Sequence, residues 1–153
     1  MHALTKDLNI TDRLSQQLHF ILETDKLKQV IRRNFIADAS RRENTAEHSW
    51  QIILITLTFS EYAKEKNIDL LRVIKMLTVH DLVEIYAGDV FLFDEQANVD
   101  KYDNETLSAE KLFGLLPPDQ KEEFISLWTE FEHRSTQEAI FANTIDRIAP
   151  FLL

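Results

Sequence analysis

The stretch Val79-His80-Asp81-Leu82-Val83-Glu84-Ile85-Tyr86-Ala87-Gly88-Asp89-Val90 decides the fold. Apolar residues lead into it in helical rhythm (Leu70, Leu71, Val73, Ile74, Met76, Leu77), so His80 and Asp81 are expected inside a largely buried helix. An ionisable pair in such a place is unfavourable unless something compensates, and a bound cation is one such compensation. Successive helix positions lie about 100° apart, so an imidazole and a carboxylate at neighbouring positions can lean toward one point. Glu84 lies four residues after His80, on the same face one turn on. Gly88 supplies a helix stop and Asp89 follows at the rim. Standing alone, His80 and Asp81 would read as a hydrogen-bonded structural couple. They do not stand alone.

Working outward, composition points to an all-α single domain, a helical bundle of about six to seven helices spanning residues 1–153. Two glycines and three prolines in 153 residues leave few tight turns for a β-rich fold. The abundance of helix-forming residues agrees with that. With no cysteine, disulfides and thiolate metal sites are excluded, so any metal must be held by histidines and carboxylates. A net charge of −9 argues against a nucleic-acid polymer or an anionic membrane as partner. Neither a secretory signal nor a membrane span is visible, and a cytoplasmic location is the expectation.

Before the central stretch, residues 1–10 read as a loosely held leader. Asn9 or Thr11 is expected to cap a first helix with Leu14, Leu18, Ile21 and Leu22 on one face, and a short second helix carries Leu27, Val30 and Ile31 inward. From Arg32 to Glu43 the pattern loosens and four arginines crowd one connection. Arg41 and Arg42 fit a solvated loop, but guanidinium groups beside a metal would also clamp a phosphate. Asn44-Thr45-Ala46-Glu47 has capping-box spacing and opens a helix over roughly 45–66, with Trp50, Ile53, Leu54, Leu57, Phe59 and Tyr62 as its apolar residues. His48 then falls in the first turn, and matters only if it faces His80 and Asp81.

Beyond Asp89 an apolar strip, Val90 to Phe93, precedes a polar segment over 95–106, the one candidate lid. Leu107 to Leu116 is read as a helix ended by Pro117-Pro118. The next helix runs to about His133, with Phe124, Leu127, Trp128 and Phe131 inward. Ser135 or Thr136 caps a last helix whose apolar stripe (Ile140, Phe141, Ile145, Ile148, Ala149) is interrupted by Asp146. The apolar end Pro150-Phe151-Leu152-Leu153 suggests further residues or a covering partner surface.

His48, His80-Asp81 and Asp146, each on a predicted helix, resemble the H…HD…D order of the HD-domain metal-dependent phosphohydrolases. The likeness extends further. Within Arg42-Glu43-Asn44-Thr45-Ala46-Glu47-His48, the run from Glu43 is similar to the E-[NS]-x-[AS]-[ED]-H part of the arginine-led R-x-E-[NS]-x-[AS]-[ED]-H segment of the 5′-deoxynucleotidase-like branch. His80-Asp81-Leu82-Val83-Glu84 with Gly88-Asp89 is similar to its H-D-[LI]-x-E-x-x-x-G-D, and Lys28…Arg32 to its upstream Lys…Arg approach. The resemblance covers about residues 15–150.

It implies one divalent metal ion (Mn, Co, Fe, Ni, Zn or Mg) on His48, His80, Asp81 and Asp146, with open positions for water and substrate oxygen. It further implies Glu84 as acid/base, Arg32 on the phosphate, and Asp89 at the sugar hydroxyl or the leaving group. The branch usually carries a tryptophan beside or shortly after the Arg32 position. Here the segment reads Arg33-Asn34-Phe35, and Phe35 is expected to fill part of the sugar site. The activity implied is release of phosphate from (deoxy)nucleoside 5′-monophosphates, by a chain that pairs as a homodimer. Two other readings stay open: hydrolysis of another small phosphoester or a nucleoside triphosphate, and a non-catalytic metal- or nucleotide-binding module.

Overall fold

The computed structural model describes residues 12–65, 67–88 and 101–152. Its seven helices are α1 (Arg13–Thr24), α2 (Thr45–Phe59), α3 (Leu70–Val79), the single turn α4 (Glu84–Ala87), α5 (Lys101–Phe113), α6 (Pro118–His133) and α7 (Gln137–Leu152). A two-stranded antiparallel hairpin, β1 (Ile31–Phe35) and β2 (Arg42–Asn44), stands before α2. All-α is therefore the right class, with one small sheet added. No helix among the described residues is long and apolar enough to cross a membrane.

The core forms around α3, which packs on α2, α6 and α7. Its Val73, Met76 and Leu77 are fully enclosed, together with Ile52 of α2 and Leu112 and Phe113 of α5. Local chemistry sets several boundaries. Asn44 accepts from the Glu47 N–H at 3.0 Å while Glu47 reaches back to the Asn44 N–H at 3.2 Å, a complete capping box. Asp69 caps α3, and Pro118 opens α6, where a missing N–H is harmless. Gly88 ends α4 at φ +79, a backbone conformation that strains any side chain, with its N–H donating to the Glu84 carbonyl at 2.8 Å.

Several expectations are corrected. The cap of α1 is Asp12, not Asn9 or Thr11, and α1 buries Ser15 and Phe20 while Leu14 and Ile21 stay exposed. Residues 25–29 form a 3₁₀ turn that buries Leu27, and Ile31 is exposed. The arginine-rich connection is the β-hairpin, closed by the Ile36 N–H donating to the Arg41 carbonyl. The helix expected through His80 breaks there: α3 ends at Val79, and His80–Val83 is a 3₁₀ turn leading into α4. Helix α2 ends at Phe59 instead of running to about residue 66; along it Thr45, His48, Ser49, Ile52, Ile55 and Thr56 are buried, whereas Trp50, Leu54 and Leu57 are exposed. Helix α5 starts at Lys101, inside the polar segment over 95–106 where either a mobile loop or a helix start is expected, and α7 leaves Ile140 and Ile148 partly exposed. The leader and the 90–93 strip lie outside the described residues, as does the candidate lid up to residue 100.

Candidate metal centre

Four residues from three elements converge on one point. His48 comes from the first turn of α2, fixed by the capping box that immediately precedes it. His80 and Asp81 come from the 3₁₀ turn, whose tighter winding sets them beside each other at the end of α3. Asp146 comes from α7, which is held to α6 by Asn143: its amide donates to the carbonyls of Phe131 at 2.7 Å and Ala139 at 3.1 Å. One donor atom each from His48, His80 and Asp146 lies within 4.8 Å of the others.

The separations suit a shared cation. His48 Nε2 is 2.8 Å from Asp146 Oδ1 and 3.9 Å from Asp81 Oδ2. His80 Nε2 is 3.1 Å from Asp81 Oδ1 and 3.8 Å from Asp146 Oδ1. Ligands each about 2.1 Å from one ion stand roughly 3–4 Å apart. The tautomer of His80 sharpens the point. Its Nδ1–H donates to the Leu77 carbonyl at 3.0 Å, an atom that can only accept. In the neutral ring, Nε2 is then a lone pair, buried without a hydrogen-bond partner and facing two carboxylates. Acceptors aimed at an acceptor require a cation between them, either a proton or a metal.

The electrostatics agree. Burial alone would lower the His80 imidazole, but Asp81 and Asp146 overcome it and hold the ring well above its ordinary value. Burial pushes the Asp146 carboxyl up, yet its hydrogen bonds to His48 and His80 leave it far below the usual carboxylate range. Asp81 is likewise lowered against burial, by His80 and by Arg32. Arg32 reaches in from β1: its Nη1 donates to Asp81 Oδ2 at 3.1 Å and its Nε lies 3.6 Å from Glu43 Oε2.

Glu84 is buried one turn beyond Asp81, where Thr45 Oγ1 donates to its Oε2 at 2.9 Å. Phe35 and Arg42 are register partners on the hairpin and both are exposed, the guanidinium 5.9 Å from the ring centre. Arg41 is directed elsewhere. It makes a two-pronged pair with Glu47 and donates to the Arg42 carbonyl, so the structure sets it on the capping box rather than among the site acids. Asp89 lies outside the described residues.

Two residues at the site had no role assigned from sequence, Glu43 and Thr45. Both sit inside the quoted Arg42–His48 segment, so a signal was present, but an acid and a hydroxyl beside a helix cap read as capping residues.

The HD domain family pattern matches residues 24–153. The chain belongs to the HD-domain family. Among relatives, 5′-deoxynucleotidase HDDC2 of Xenopus laevis is 30% identical over 131 residues, which make up 85% of this chain and 63% of that protein. Human 5′-deoxynucleotidase HDDC2 is 26% identical over the same length, 85% of this chain and 62% of its own. The chain thus spans a little under two thirds of these curated relatives. Among solved structures, a predicted metal-dependent phosphohydrolase from Magnetospirillum magnetotacticum MS-1 superposes with a TM-score of 0.86 at 48% identity, covering 92% of this chain and 69% of that one. A protein from Pyrococcus horikoshii OT3 superposes with a TM-score of 0.68 at 30% identity, covering 86% and 72%.

Proposed function

We propose that this HD-domain chain is a divalent-metal-dependent phosphohydrolase that releases inorganic phosphate from nucleoside 5′-monophosphates, with deoxynucleotides preferred. The observation that carries the reading is the buried His80 Nε2, with Asp81 and Asp146 facing it and His48 beside them. The phosphohydrolase and 5′-deoxynucleotidase names of the relatives support the class of reaction.

In this reading His48, His80, Asp81 and Asp146 hold the ion. Two imidazoles and two carboxylates with open positions suit Mn, Co, Fe or Ni better than a closed structural Zn site, and Mg keeps more of its own water. A bound ion supplies Lewis-acid polarisation of the phosphoryl oxygen and a water of lowered pKa. The chain's own groups do the rest. Arg32 binds the phosphate through the guanidinium it now extends to Asp81, and Arg42 adds positive charge at the rim. The Glu84 carboxyl, held by the Thr45 hydroxyl, orients the attacking water as the carboxylate or, in its protonated form, gives its proton to the leaving 5′-oxygen. Asp89 meets the sugar hydroxyl or assists the leaving group. Phe35 offers an exposed ring at the hairpin edge for the sugar side of the nucleotide.

Two further parts belong to the proposal. Trp50, Leu54 and Leu57 form an exposed apolar stripe on α2 at helical spacing, a face suited to pairing two copies as a homodimer. A cytoplasmic setting, where nucleotides are at hand, completes the reading.

The test is phosphate release from ribo- and deoxynucleoside 5′-monophosphates by metal-stripped protein, re-supplied with Mn, Co, Ni, Zn or Mg in turn. Metal-dependent, deoxy-selective release is the expected result. Equal turnover of both sugars discards the selectivity, and no release with metal demonstrably bound discards the monophosphatase.

A further inference from the structure

Glu43 is a buried acid for which the reaction above has no use. The pleat of β2 turns Arg42 outward and Glu43 inward, leaving Glu43 only 5% exposed. A carboxylate in such a place is unfavourable unless cations or donors meet it. Two do, at the same atom: Glu43 Oε2 lies 3.6 Å from His48 Nδ1 and 3.6 Å from Arg32 Nε. These are ion-pair rather than hydrogen-bond separations. The far ends of both partners enter the site. His48 Nε2 is 2.8 Å from Asp146, and Arg32 Nη1 is 3.1 Å from Asp81.

We propose that Glu43 is a positioning residue that couples the metal-holding His48 to the phosphate-holding Arg32 through one shared carboxylate oxygen. The inference rests on the reading of those two residues under Proposed function. An anion beside Nδ1 favours the proton there, which leaves the Nε2 lone pair directed at the ion. His80 is set in the same sense by the Leu77 carbonyl, so both imidazoles have an acceptor behind the ring and the site in front of it. The same oxygen attracts the Arg32 stem, which keeps the guanidinium plane at the edge of Asp81. A purely structural acid would steady the hairpin and do neither.

The experiment compares wild type, Glu43→Gln, Glu43→Asp and Glu130→Gln as metal-stripped chains. Mn²⁺ affinity is measured by calorimetry, inorganic phosphate affinity on the Mn²⁺-loaded proteins, and melting temperature on all of them. Glu43→Gln is expected to weaken Mn²⁺ binding by about tenfold or more, with phosphate affinity falling alongside. Glu43→Asp keeps the charge on a shorter stem and is expected to show a smaller loss of both at near-wild-type melting. It carries the test should the glutamine variant fail to fold. Glu130→Gln, which removes the acceptor of Arg72 and Thr136 away from the site, is expected to lower melting while leaving both affinities in place. Folded Glu43 variants that bind Mn²⁺ and phosphate like wild type overturn this inference and leave the metal reading intact. A wild-type chain that binds no Mn²⁺ overturns the metal reading itself.

Discussion

The centre around His80 and the junction around Glu130 bury the same kinds of groups and balance them oppositely. At the junction, Glu130 of α6 is 8% exposed and receives Arg72 Nε at 2.9 Å, a second contact from Arg72 Nη2, and the Thr136 hydroxyl at 2.6 Å. Donors there answer the carboxylate, and the result ties α3, α6 and the start of α7 together. At the centre, carboxylates face an imidazole nitrogen that has no proton to give unless the ring is charged. Burial therefore does not separate a functional acid from a structural one. What separates them is whether the neighbourhood closes its own charge balance.

That contrast breaks most visibly under substitution. Asp146→Asn is expected to weaken Mn²⁺ binding by about a hundredfold and phosphate release by about a thousandfold. Glu130→Gln is expected to do the reverse, costing about 1–3 kcal/mol of stability by leaving Arg72 and Thr136 without their acceptor, while Mn²⁺ affinity holds. Calorimetry and thermal melts on both variants decide it. Weakened metal binding in Glu130→Gln would mean that the two regions are not independent.

Acid sharpens it next. The Arg72 guanidinium holds the Glu130 carboxyl below its ordinary value, against burial and with help from Thr136. A depressed carboxyl stabilises the fold above its unfolded value of about 4.3 and loses that contribution as pH falls through the folded value. The melting gap between wild type and Glu130→Gln should therefore be widest near neutrality and close below about pH 4. A gap that stays constant with pH would show that shape rather than charge sets the junction.

The residues that were legible in sequence are those with local rules. The Asn44–Glu47 box, the Asp69 cap, Pro118 and Gly88 each act within a few residues, and all do what their chemistry predicts. That His48, His80, Asp81 and Asp146 come together in space was legible through their order along the chain. The face of α2 was not, because apolar residues lie on both of its sides, Ile52 and Ile55 inward beside His48, and Trp50, Leu54 and Leu57 outward. The hairpin was missed because its strands are five and three residues long and alternate charges instead of apolar side chains. The 3₁₀ turn at His80 has no residue signature at all, since Val79 through Val83 would continue a helix.

The smallest expected effect tests whether a neutral donor can balance a carboxylate as Arg72 does. Tyr86 OH donates to Glu23 Oε1 at 2.6 Å, and Glu23 also pairs with Lys26. Burial, then the bond to Glu23, pushes the phenol up to about 12. A raised phenol contributes stability that is fully present below its unfolded value of about 10 and is lost as pH rises toward the folded value. In a titration followed by phenolate absorbance, one of the three tyrosines should ionise late, and Tyr86→Phe should delete that phase. The substitution should cost less than about 1 kcal/mol, because Lys26 remains on Glu23. A late phase that survives in Tyr86→Phe would belong to another tyrosine, and would mean that Glu23 does not hold the Tyr86 phenol as a neutral donor.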